Sequence, residues 1–174
     1  MPITPLHFSA FIFLYFKDKK RVDPIALAVS TTFIDLEPLY YLLLRECPTH
    51  RVWHGFTSAL TIYPILVTLG VYFLENLFGG KLWIALEKMG LDTFQVNYPI
   101  LNIYLISLFG GLSHIFLDMF THEQMSWVLY PFTYGNPFYI GEASTIVEIL
   151  VILLTIYSLS CWLKDKRSAS NIKN

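Results

Sequence analysis

The stretch "SHIFLDMFTH" at residues 113–122 places His114, Asp118 and His122 four residues apart. On a helix, residues four apart are neighbours on one face. His50 and His54 repeat that spacing, and His7 completes the chain's five histidines. Three carboxylates, Asp35, Glu37 and Glu148, stand in or beside other apolar runs. Imidazole nitrogen and carboxylate oxygen together suit zinc, manganese or iron. A charged side chain at the bilayer centre costs about 2.5–3.5 kcal/mol on insertion scales. A cation held between carboxylates relieves that cost. The expected metal ligands are His7, Asp35, His50, His54, His114 and Asp118, with His122 and Glu148 as further candidates. Glu37 is expected to support a ligand or to act as a general base. Arg51 is expected to bind an anionic group, because guanidinium matches phosphate oxygens in a bidentate way.

The elements that must position these residues are apolar. The chain has 174 residues, of which 55% are hydrophobic and only 14% charged, against about 25% charged in soluble domains. Aromatics at 17% fit the belts found at membrane interfaces. The reading is an all-α, polytopic membrane helix bundle of about four spans plus a re-entrant or interfacial N-terminal helix. Residues 1–163 read as one membrane-embedded domain and 164–174 as a polar tail, disordered at its end. A net charge of −1 offers no field to attract nucleic acid. Cys47 and Cys161 lack CxxC spacing, so neither a disulfide nor a thiolate metal site is expected. The first sixteen residues lack a basic start and a cleavage site, so no signal peptide is expected.

Residues 5–16 are too few to span a bilayer, which needs about twenty. The expected spans are 23–45, 56–78, 98–120 and 143–163. Asp23 is expected to cap the first, with Pro24 at the first helical position. Pro64 is expected to kink the second. Residues 81–90 read as a short amphipathic surface helix. Basic residues at 17–21 and 164–167, with Lys81 and Lys88, then share one side, which the positive-inside rule makes cytoplasmic. The polar residues gather at the opposite side. The expected location is the cell (inner) membrane, with the site toward its non-cytoplasmic face.

Two other readings use the same residues. Intramembrane histidines commonly hydrogen-bond neighbouring helices, and an Asp beside Pro can cap a broken helix, so the cluster could be structural. A metal-ion transporter would also need such ligands. A transport path, however, should carry polar residues through both halves of the bilayer, and these collect in one.

The order "TPLHF", "IDLEP", "HRVWHGF", "GGLSHIFLDMFTH" and "WVLYPF" resembles the YdjM-like family of membrane-bound metal-dependent hydrolases over nearly the whole chain. That family is itself distantly similar to zinc-dependent phospholipase C. The resemblance matches His7 to an N-terminal His, and Asp35 and Glu37 to a D-x-D-type motif. It matches His50, Arg51 and His54 to an HRG-type motif with a second His, and Ser113, His114 and Asp118 to a late SHxxxD motif. Glu148 matches a Glu before the last helix. The sequence departs from the family in Glu37, usually Asp, in the four-residue spacing of "HRVWH", often five, and in "FT" before His122, where Pro is common. The resemblance implies hydrolysis of a lipid or lipid-linked phosphoester. Its implied cofactor is one to three divalent ions, zinc before manganese or iron.

Overall fold

A computed structural model describes residues 5–88, 91 and 98–172. The described residues form helices joined by turns, with no strand among them. The helices are α1 (Pro5–Phe11), α2 (Phe13–Lys17), α3 (Pro24–Thr32), α4 (Leu36–Leu43), α5 (Phe56–Leu60), α6 (Ile62–Lys88), α7 (Ile100–Asp118) and α8 (Ala143–Ile172). Two 3-10 turns, Phe33–Asp35 and Val52–His54, precede α4 and α5. Three helices are long and apolar enough to cross a membrane: Ile62–Lys88, Ile100–Asp118 and Ala143–Ser168. Their outward faces carry exposed leucine, isoleucine and phenylalanine, such as Phe73, Leu101 and Ile156. Such residues have no reason to face water and are at home against lipid.

The segment expected as a first span is not one helix. It breaks at Phe33–Asp35 between α3 and α4. Pro38 explains the position: a proline ring clashes with the carbonyl four residues earlier, here that of Ile34. The same rule places the break before α6. Pro64 disfavours a helical carbonyl at Leu60, and the chain turns at Thr61, with φ −121° and ψ −85°. The expected kink is therefore a full interruption, and α6 starts later than the predicted span. It also runs on through the segment read as a surface helix, as far as Lys88. Gly79 and Gly80 do not break it, and "KLWIALEK" is built from good helix formers. Residues 89 and 90 of that predicted helix lie outside the described residues. The tail, too, differs from expectation, because α8 continues through residue 172.

The cap at Asp23 is as predicted. Its carboxylate accepts from the backbone N–H groups of Ile25 (2.8 Å) and Ala26 (3.2 Å), with Pro24 at the first helical position.

α7 is the central helix, packed against α3, α5 and α6. Gly110 and Gly111 permit the approach. A Cβ on Gly110 would lie 1.8 Å from Ser30 Oγ and 2.6 Å from Ser30 Cβ, and one on Gly111 would lie 2.8 Å from the Tyr63 ring. The glycines thus bring α3 and α6 against α7 one turn before His114. α1 and α2 pack on α8. Ser158 joins all three, donating to the Ala10 carbonyl (3.1 Å) and accepting from Phe13 N–H (3.2 Å). It thereby satisfies backbone groups left free where α1 gives way to α2. Lys19 pairs with Asp165 at 2.6 Å, so the basic stretches 17–21 and 164–167 meet at one end of the bundle, as expected. The C-terminus of α7 and the start of α8 lie at the other.

Candidate metal centre

Three of the element ends deliver a polar side chain to one place. Asp35 ends the 3-10 turn between α3 and α4, His54 ends the turn before α5, and Asp118 ends α7. His114 lies one turn inside α7, and His7 comes from α1. Ligand atoms of Asp35, His54, His114 and Asp118 lie within 4.8 Å of one another. So do those of His50, Asp118 and His122. Asp118 belongs to both groups.

The first group is tightly set. His114 Nε2 is 3.2 Å from Asp35 Oδ1 and 3.1 Å from Asp118 Oδ2. His54 Nε2 is 3.6 Å from the same Asp35 oxygen. Two ligand atoms each about 2.0–2.2 Å from one ion lie about 2.8–3.6 Å apart at square to tetrahedral angles. The three separations 3.1, 3.2 and 3.6 Å fall within that range.

The tautomers point the same way. His114 Nδ1–H donates to the Thr31 carbonyl at 2.9 Å, at the C-terminus of α3. His54 Nδ1–H donates to Glu37 Oε2 at 3.0 Å. In both rings Nε2 is then turned toward carboxylate oxygens, a contact that needs a cation between them, whether a proton or a metal ion. Such an outer partner on the other ring nitrogen is the usual companion of a metal-bound histidine. Buried atoms without a hydrogen-bond partner include both ring nitrogens of His7, Nε2 of His54 and His114, and Oδ1 of Asp118. Buried polar atoms are nearly always satisfied, and the orphaned Nε2 atoms of His54 and His114, both within 3.6 Å of Asp35 Oδ1, fit a divalent ion.

The second group is built from imidazole rings packed edge-on and tilted against one another. His50 lies 4.6 Å from His54 and 4.8 Å from His122, centroid to centroid. His122 Nδ1 is 2.7 Å from Thr121 Oγ1 and 3.3 Å from the Asp118 carbonyl. His50 Nδ1 is 3.1 Å from Thr49 Oγ1. Burial first, then the neighbouring His54 and His122, holds the His50 imidazole down to about 3. It is neutral at physiological pH, the form that ligates a metal. Asp118, 3% exposed, is positioned to serve both groups. Its Oδ2 faces His114, while Oδ1 lies 3.6 Å from His7 Nε2 and 3.9 Å from His122 Nδ1.

His7 is buried against the cluster, its ring 4.4 Å from that of His114, although it joins neither close group. Glu148 is not brought in among the described residues. It lies on the first turns of α8, with Ser144 Oγ 3.5 Å away. Glu37 accepts three hydrogen bonds: Arg51 N–H (2.9 Å), Trp53 N–H (3.0 Å) and His54 Nδ1–H. A carboxylate so engaged is a poor proton acceptor, so of its two expected roles the geometry favours support of a ligand. Arg51 also departs from expectation. Its Nη2 donates to Glu46 at 2.8 Å and its Nε to the Pro48 carbonyl at 3.0 Å, while Cζ sits 3.7 Å from the Tyr41 ring centre. The guanidinium is engaged by these groups, and it is the backbone of Arg51 that serves the site.

Several positioning residues were not identified from the sequence. The Thr31 carbonyl had no side-chain signature. Thr49 and Thr121 did have one, since each immediately precedes a histidine, and each hydroxyl meets that histidine's Nδ1. Asn136 Nδ2 donates to the carbonyls of Met119 (2.7 Å) and His122 (2.8 Å), which fixes the turn after α7.

No curated protein and no solved structure matches this sequence. A family model described as a domain of unknown function matches residues 1–172, nearly the whole chain. The protein is a helical, membrane-type chain with a buried His/Asp cluster able to bind metal, and it belongs to the DUF4184 family.

Proposed function

We propose that this protein is a membrane-bound metal-dependent hydrolase acting on a lipid or lipid-linked phosphoester. The observation that carries the reading is His114. Its Nδ1–H is fixed on Thr31, and its Nε2 faces two carboxylates at 3.1–3.2 Å. The resemblance to YdjM-like hydrolases, with their likeness to zinc-dependent phospholipase C, supports the same reaction class.

Asp35, His54, His114 and Asp118 would hold one divalent ion, and His50, Asp118 and His122 a second. Zinc suits this histidine-rich set best. Bound metal would supply Lewis acidity toward a phosphoryl oxygen and a water activated toward neutral pH. The protein's own part is orientation and access. Thr31 and Glu37 hold two imidazoles in the ligating tautomer. The glycine pair keeps α7 close enough for His114 to reach Asp35. Asp35 and His122 are the cluster's partly exposed members, with side chains 21% and 16% accessible, so substrate would approach past them. Asp35, Asp118 and Glu37 bring three negative charges, so two divalent ions would leave the site net positive and attractive to phosphate.

In a cell membrane, the basic end formed by 17–21 and 164–167 would lie in the cytoplasm and the metal cluster toward the other face. The test is hydrolysis of phospholipids by zinc-loaded protein in detergent micelles, beside Asp118→Asn. Release of a phosphorylated or dephosphorylated product by the wild type alone supports the reading. Metal bound without turnover of any phosphoester, but with metal flux in liposomes, would favour the transporter reading instead.

A further inference from the structure

A cavity of about 530 Å³ opens beside the cluster, between α6 and the broken α3–α4 segment. Its volume lies in the range of small-molecule sites. One wall is a stripe of α6: Tyr63, Leu66, Val67, Gly70, Val71 and Leu74. The 3,4 spacing puts all six on one helix face. The opposite wall includes Phe33, Leu36 and Tyr40. Glu37, the carboxylate that holds His54, and Trp53 also line the cavity. The groove therefore runs from the edge of the metal cluster down a membrane-spanning helix.

Gly70 shows what keeps it open. Glycine weakens a helix interior relative to alanine, and it is tolerated where a neighbour must come close. Gly110 and Gly111 meet that condition; a Cβ on Gly70 would meet nothing within 4 Å. No packing requires this glycine. Its missing side chain instead leaves room in the groove.

We infer that this groove holds an acyl chain of a bilayer phospholipid, with the ester end at the metal cluster. The groove is continuous with the lipid-facing surface of α6, where Ile65, Leu69 and Phe73 are exposed. At that depth a hydrocarbon chain is the solvent. From Tyr63 to Leu74 the wall is about 16 Å long at 1.5 Å per residue. An extended chain advances about 1.2 Å per bond, so the groove accommodates about a dozen methylenes. Lipid tails are as apolar in the bilayer as in the groove. The contact therefore selects and aligns a chain more than it adds affinity. This deepens the hydrolase reading and rests on it for calling the lipid a substrate, while occupancy of the groove is tested on its own.

The probe is a phosphatidylethanolamine carrying a diazirine near the end of one acyl chain, in vesicles of the unlabelled lipid. After irradiation of the reconstituted full chain, the label is mapped by mass spectrometry. The α6 stretch Leu66–Leu74 should be labelled above Ile149, Ile152, Leu153 and Ile156 on the exposed face of α8, which lie outside the second apolar cavity lined by Leu150 and Leu154 and report ordinary bilayer contact. That excess should be lost in Gly70→Phe and in Leu74→Trp and kept in Gly70→Ala, with metal content unchanged in all three as the check on folding. Equal labelling of α6 and α8, or an excess indifferent to both bulky variants, overturns the inference. So does a cross-linked dimer joined at α6, which would assign the groove to a second copy. Groove labelling by a protein that hydrolyses no phospholipid would leave the acyl site standing and remove the hydrolase reading.

Discussion

Replacing Glu37 by Gln separates support of a ligand from proton transfer. Glu37 Oε2 accepts from Arg51 N–H and His54 Nδ1–H, and Oε1 accepts from Trp53 N–H. A glutamine keeps the larger number of bonds by placing its carbonyl oxygen at the Oε2 position. Its amide then faces Trp53 N–H, donor against donor. An unsatisfied buried N–H costs about 1–3 kcal/mol. The bond to His54 survives without its charge, and charge-assisted bonds are roughly twice as strong as neutral ones. Loss of such an outer partner typically lowers metal affinity 10–100-fold. Because the imidazole here is still held, the lower figure applies, about tenfold or 1.4 kcal/mol. Glu37→Ala removes all three bonds and should reach the upper figure. The assay is chelator competition for zinc in detergent, with thermal unfolding alongside. Wild-type zinc affinity in Glu37→Gln, with hydrolysis abolished, would refute the supporting role and make Glu37 the general base.

Gly110→Ala should destabilise the protein by about 1–3 kcal/mol, the usual cost of overpacking, because the new methyl meets Ser30 Cβ at 2.6 Å; thermal unfolding measures it. Metal affinity should fall in that variant too, since α3 must move and carries Thr31 away from His114. Glu148→Gln should leave metal content unchanged in elemental analysis, because Glu148 lies outside both ligand groups. Metal affinity should fall as pH is lowered, because protons compete with the ion for imidazole nitrogen and carboxylate oxygen, as followed by equilibrium dialysis at stepped pH. His50 adds little to that loss. Its pKa is already lowered to about 3 by burial and by His54 and His122, so protons compete for it only in stronger acid.

The residues of the cluster were legible in the sequence because charge in an apolar chain is conspicuous and the four-residue spacing is periodic. Asp23 before Pro24 was equally plain, since capping is a local interaction. The helix breaks were harder. Pro38 and Pro64 act on the carbonyl four residues upstream, so the interruptions fall at Phe33–Asp35 and Thr61 rather than at the prolines. The first interruption delivers Asp35 to the site, and the 3-10 turn Val52–His54 before α5 delivers His54. The extension of α6 to Lys88 was hidden because Gly79 and Gly80 look like a boundary. The roles of Arg51 and Glu37 depend on the loop 44–55, whose path no periodicity reports. Thr31 acts through its backbone and has no signature at all. Glu148, on the first turns of α8, belongs to neither ligand group, and counting residues along a span does not report which way a side chain is turned.

The most direct test of the central claim is the metal content of the protein purified in detergent without chelators and then supplied with zinc, beside His114→Ala/Asp118→Ala. Two ligand groups sharing Asp118 predict about two equivalents in the wild type and loss of both in the variant, with the helical fold retained. A wild type that binds no zinc, manganese or iron would contradict the account and leave the cluster as a set of structural contacts between helices.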